Sequence, residues 1–130
     1  MDIVSLIQVM PDYIGANGVN KNKIVDCEEA LGIVFASDYK QYLENIGLAC
    51  FDGRELTGIC DSKRLNVVSV TLEERIKNPT ITNNWYVIEQ TGFDGIVIWQ
   101  DSSGMVYQVA ENGTVHITYK SLCDYILNSF

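Results

Sequence analysis

Between residues 79 and 119 this chain has no lysine or arginine; its only charged side chains there are Glu89, Asp94, Asp101 and Glu111. Other absences are as informative. No apolar run approaches the roughly 18 residues that cross a bilayer, and the start, Met1-Asp2-Ile3-Val4, has an acid where a secretion signal has bases. A cytoplasmic location is therefore expected. The four cysteines, Cys27, Cys50, Cys60 and Cys123, form no C-x-x-C pair. In a cytoplasmic chain such scattered cysteines read as small buried hydrophobes, not as zinc ligands or disulfides. The sequon Asn112-Gly113-Thr114 then reads as turn chemistry.

The parts of an enzyme are equally scarce. There is one histidine, His116, and it sits between Val115 and Ile117 on a strand-like stretch, where alternation turns it away from the apolar face. A lone histidine has no orienting partner in the sequence and is the only activator that a nucleophilic cysteine could have. Gln100-Asp101-Ser102-Ser103-Gly104 does not make the G-x-S-x-G elbow, and neither phosphate-binding glycine motif occurs. Asp52, Glu55 and Asp61 lack the spacing of a calcium loop. Seventeen acids permit many carboxylate pairs, and nothing marks one out for glycoside hydrolysis. The chain is read as a non-enzyme with no cofactor and no metal.

What is present is a chain of ordinary globular composition, 130 residues long, with 47% hydrophobic and 20% charged residues. That length suits one domain spanning 1–130. The net charge of −8 is unevenly spread: residues 1–60 hold nine acids and four bases, 61–78 three and four, and 79–130 five and one. Such a surface repels nucleic acid and anionic membranes and attracts a basic protein, although acidity also serves plain solubility. The basic residues Lys63, Arg64, Arg75 and Lys77 are too few for a nucleic-acid footprint.

Periodicity places helices first. Ile3, Leu6, Ile7 and Met10 make one stripe, stopped by Pro11 and Gly15. After a polar loop including residues 20–23, Ile24, Cys27 and Leu31 face inward on a second helix capped by Gly32. Ser37 is the expected N-cap of a third, with Tyr39, Tyr42, Leu43 and Ile46 on its inner face. Residues 49–51 and 55–57 read as short strands around Asp52-Gly53, and 67–70 as another strand. Thr71-x-x-Glu74 has the form of a capping box for a helix over 72–77.

The turn pairs Asp94-Gly95, Ser103-Gly104 and Asn112-Gly113 are nine residues apart, with strand-like residues before, between and after them. This spacing predicts a four-stranded antiparallel meander over 85–90, 96–100, 105–110 and 114–118. A helix from Ser121 closes the chain, with Leu122, Ile126 and Leu127 inward. The fold class is α+β: N-terminal helices, an antiparallel meander of four or more strands and a C-terminal helix.

The stretch Glu29-Ala30-Leu31-Gly32-Ile33-Val34-Phe35-Ala36-Ser37-Asp38-Tyr39-Lys40 resembles the signature of the SUKH superfamily: a helix ending in E-x-x-L-G, a short apolar link and an acid-Tyr-Lys helix. Asn45-x-Gly47, the segment 51–59, the strand pair around Trp99 and Tyr107, and Tyr119-Lys120-Ser121-Leu122 are similar to its later motifs, so the resemblance covers about residues 20–128. One departure is Phe35-Ala36 in place of the family's usual Leu-Pro. The resemblance implies an immunity protein that binds and neutralises a cognate bacterial toxin, often a nuclease, and it transfers no catalytic residues. A general interaction or regulatory module, as in the family's fungal cell-wall branch, is the alternative. A small ligand binder using Trp85, Tyr86 and Trp99 is a third reading, set against simple core packing of those aromatics.

Charge complementarity nominates Asp52, Glu55, Asp94, Asp101 and Glu111 for contact with a basic partner, each set against the ordinary preference of turns for acids. Turns one and three of a meander share an end, so Asp94 and Glu111 are expected together and Asp101 at the far end. The oligomeric state is left open.

Overall fold

Asp2 opens the first helix: its carboxylate accepts the Ser5 backbone N–H at 2.9 Å, one of the donors that a helix start leaves unpaired. The computed structural model describes residues 2–129, in which α1 (Ile3–Gln8) buries Ile3, Leu6 and Ile7. α2 (Lys21–Leu31) begins inside the polar run expected to be loop, because the Asn20 side chain accepts the Lys23 N–H at 2.9 Å. It buries Ile24 and Leu31 and ends on Gly32, whose φ of +67° suits a residue without Cβ.

α3 (Ser37–Asn45) buries Tyr39, Tyr42 and Leu43, with Ile46 just beyond. Ser37 is not its cap. Ala36 takes that position, and its N–H donates to Tyr86 Oη at 2.9 Å. Tyr86 donates onward to Gln100 Oε1 at 2.6 Å, and Gln100 Nε2 donates to Asp38 at 3.0 Å. Asp38 in turn accepts the Leu122 N–H at 2.9 Å. The relay ties the start of α3 to the sheet and to the last helix. It also accounts for alanine where the family has proline: the φ of −62° would suit proline, but the N–H is in use. Ala36→Pro should therefore destabilise the fold by about 1–3 kcal/mol despite the stiffer unfolded chain, read as a lower urea midpoint.

A small antiparallel sheet follows, with β1 (Ile14–Gly15), β2 (Ala49–Phe51) and β3 (Arg54–Glu55) in that order. The stretch 67–70 corrects the expected strand: it is the start of α4 (Val67–Lys77). Asn66 Oδ1 accepts the N–H groups of Val68 and Ser69, and Val67, Val70, Thr71 and Glu74 are buried at helical spacing. Thr71 is thus inside the helix and not its capping box; its hydroxyl accepts the Val87 N–H at 3.0 Å. Burial and capping here override the strand preference of β-branched residues.

β4 (Tyr86–Gln90), β5 (Val97–Gln100), β6 (Val106–Val109) and β7 (Val115–Tyr119) form the antiparallel meander, paired in chain order. Tyr86, Ile88, Ile98 and Val106 share a core with the N-terminal helices. Val87, Trp99 and Val109 pack with Val70 of α4 in a second core. α5 (Leu122–Asn128) opens at Ser121, which accepts the Asp124 N–H, and buries Leu122, Tyr125 and Ile126. Leu127, expected inward, is 64% exposed because helical phase gives its place to Tyr125. The four cysteines are free and half-buried, not fully buried. Among the described residues no helix is long and apolar enough to cross a membrane.

Candidate functional site

The first meander turn is built by its own sequence. Asp94 and Gly95 have φ of +49° and +68°, and Ile96 N–H donates to the Phe93 carbonyl at 2.8 Å. Two successive positive φ values make the primed turn that matches strand twist, which asparagine, aspartate and glycine tolerate. Thr91 braces the turn: its hydroxyl accepts the Phe93 N–H at 3.1 Å and donates to the Ile96 carbonyl at 2.9 Å. The Phe93 side chain is left 66% exposed on this fixed backbone.

Glu111, from the third turn, lies over Gly95, where a Cβ would meet its Cβ at 2.9 Å. Asp52 has φ +51° and belongs to the β2–β3 turn of the small sheet. Asp52 and Phe93 line one cavity of about 240 Å³ with Gln90 and Thr91. Glu111 and Gly95 line a second, of about 470 Å³, with Gln90, Glu74 and Lys77. Asp52, Asp94 and Glu111 are all exposed, and no hydrogen bond or ion pair engages their carboxylates among the described residues.

The other two nominated acids are engaged internally. Glu55 forms a bidentate pair with Arg64 at 2.8 and 3.0 Å, which holds its carboxyl below the usual range. Exposed pairs of this kind add little stability, but they neutralise the charge offered to a partner. Asp101 lies at the opposite end of the meander, in the β5–β6 turn. It accepts Ser103 N–H and Oγ–H at 3.0 and 2.6 Å, Met105 N–H at 3.2 Å and Tyr107 O–H at 2.6 Å. Burial pushes its carboxyl up, and these donors outweigh that, so it titrates below the ordinary 3.8. A depressed carboxyl contributes stability above the ordinary value and loses it as pH falls through the depressed one. Asp101→Asn should accordingly flatten the loss of stability as pH falls below the ordinary carboxyl value of 3.8, seen in urea midpoints followed downward from neutral pH.

The aromatic face does not assemble. Tyr86 and Trp99 are fully buried in different cores, and only Trp85 is partly exposed, stacked on Tyr107 at 3.9 Å. His116 is exposed on β7. Among the described residues no group of three His, Cys, Asp or Glu could hold a metal ion.

Two features escaped the sequence reading. Phe93 carries no signal beyond its place before an Asp-Gly turn. Glu89, counted there with the acidic surface, is a correction: its side chain is 4% exposed and meets Arg54 Nη2 at 3.0 Å, while Tyr125 Oη donates to it. Arg54 also donates to Ser129 Oγ and lies over the Tyr125 ring.

Comparison with known proteins follows this geometry. The SUKH_5 family, described as SMI1-KNR4 cell-wall, matches residues 2–130. A crystal structure of a protein from Pseudomonas syringae pv. tomato superposes with a TM-score of 0.80 at 13% identity, covering 98% of this chain and 95% of that one. At that identity the likeness concerns the fold alone. No curated protein matches.

Proposed function

This chain belongs to the SUKH family, and from that premise we propose that it is a protein-binding immunity protein that neutralises a basic cognate toxin inside the bacterial cell. Family members act in general as immunity or regulatory proteins and not as enzymes. One observation carries the choice of surface: Asp52, Asp94 and Glu111, the three nominated acids with no internal partner, gather around one turn. Unneutralised carboxylates on a rigid edge speed encounter with a cationic groove such as a nuclease presents to phosphate. Glu55 and Asp101 take lesser parts, since their charge is already used.

The test is protection. Cells expressing the toxin domain encoded beside this chain should survive when the chain is co-expressed, and the two proteins should co-purify. Absence of both binding and protection refutes the immunity reading and leaves the regulatory alternative.

A further inference from the structure

We propose that Phe93 and the carboxylates around it form a receptor for an arginine side chain of the basic partner; this deepens the protein-binding reading above and rests on it. A phenyl ring that is 66% exposed gains nothing for the fold, yet its backbone is fixed by the 93–96 turn and by the Thr91 hydroxyl. The backbone part of the ordering cost of presenting the ring is therefore already met in the free protein. Asp52 lies across the cavity that Phe93 lines, Asp94 is the next residue, and Glu111 covers Gly95 on the far side.

An exposed aromatic ring that shares a cavity with the unpaired Asp52, on a turn that carries Asp94 and is touched by Glu111, has a specific complement. A guanidinium is flat, weakly hydrated and forked, so it stacks on a ring while donating in its own plane to a carboxylate. An ammonium is a compact, strongly hydrated point charge and fits the ring less well. Of the native cations nearby, Arg54 is bonded to Glu89, and Lys77, which lines the Glu111 cavity, is only loosely paired with Glu73 at 3.9 Å and lies outside the cavity that Phe93 lines. A second copy of this chain is a poor occupant, because its net charge of −8 would be set against the same carboxylates.

The probes are two short peptides of equal length, one alternating glycine with arginine and one glycine with lysine. Each is titrated at low ionic strength into isotope-labelled protein and followed by amide chemical shifts. The arginine peptide should bind roughly two- to fivefold more tightly than the lysine peptide, with shifts concentrated at residues 52–55, 91–95 and 111–113. Phe93→Ala and Phe93→Leu should both abolish that preference while leaving lysine-peptide binding in place. Equal affinity for the two peptides, or a preference that survives both substitutions, overturns the receptor. The protection assay is a separate readout: protection by the wild-type chain alongside indifferent peptide binding defeats this inference alone, whereas loss of protection defeats the reading beneath it.

Discussion

Glu89→Ala should destabilise the protein by about 3–5 kcal/mol, a large share of the roughly 5–15 kcal/mol that holds a domain of this size together. The cost arises from what is left behind. Arg54 has a side chain 10% exposed, and its Nη2 donates to Glu89 at 3.0 Å; Tyr125 is fully buried and donates to the same carboxylate. Removing the carboxylate takes from a largely buried Arg54 its anionic partner and from the buried Tyr125 hydroxyl its acceptor. The urea midpoint should fall by about 1–3 M. The double change Arg54→Met with Glu89→Leu should cost less, because apolar replacement of the buried ion pair removes the desolvation penalty together with the attraction, although the Tyr125 hydroxyl still loses its acceptor. A double variant as unstable as the single one would show that the two side chains act mainly through shape.

The second large effect concerns association. Replacing Asp52, Asp94 and Glu111 together by lysine should slow binding of the toxin domain on the order of 10- to 100-fold at low salt, with dissociation changed less. All three are exposed, but Asp52 and Asp94 sit at positive φ, where lysine is tolerated less well than aspartate, so the variant should lose about 1–3 kcal/mol of stability and stay folded. Glu29→Lys is the control for Glu111→Lys alone, which changes net charge equally. Glu29 shares a groove with Ser102 beside the opposite turn, so at about 0.1 M salt, where screening acts over about 10 Å, Glu29→Lys should bind within about threefold of the parent rate while Glu111→Lys stays slower. Comparable slowing by both variants would mean that net charge, and not the 93–96 turn, governs the encounter.

Much of the architecture was legible in the chain itself because it is written in local chemistry. Asp94-Gly95, Ser103-Gly104 and Asn112-Gly113 place residues able to adopt positive φ between strand-like stretches, and the meander strands begin and end within about a residue or two of the expected places. The inner faces of α2 and α3 followed from side-chain spacing. The 67–70 segment did not, because Val67-Val68-Ser69-Val70 favours a strand locally, while the Asn66 cap and burial against β4 decide for helix. Leu127 was misplaced by one position of helical phase, which adjacent apolar residues leave ambiguous. At the candidate site, the approach of Glu111 in the third turn to Gly95, the neighbour of Asp94 in the first, followed from meander topology. Three further facts depend on contacts between distant segments: Asp52 standing beside Phe93, Glu55 neutralised by Arg64, and Glu89 turned inward to Arg54. No local pattern encodes them.

The most direct measurement is amide hydrogen exchange on this protein with and without the toxin domain proposed as its partner. The account predicts slowed exchange at residues 52–55, 91–95 and 111–113, with the 101–104 turn and the 28–34 stretch unchanged. Protection confined to 101–104 and 28–34, or no change anywhere at saturating toxin, would contradict it.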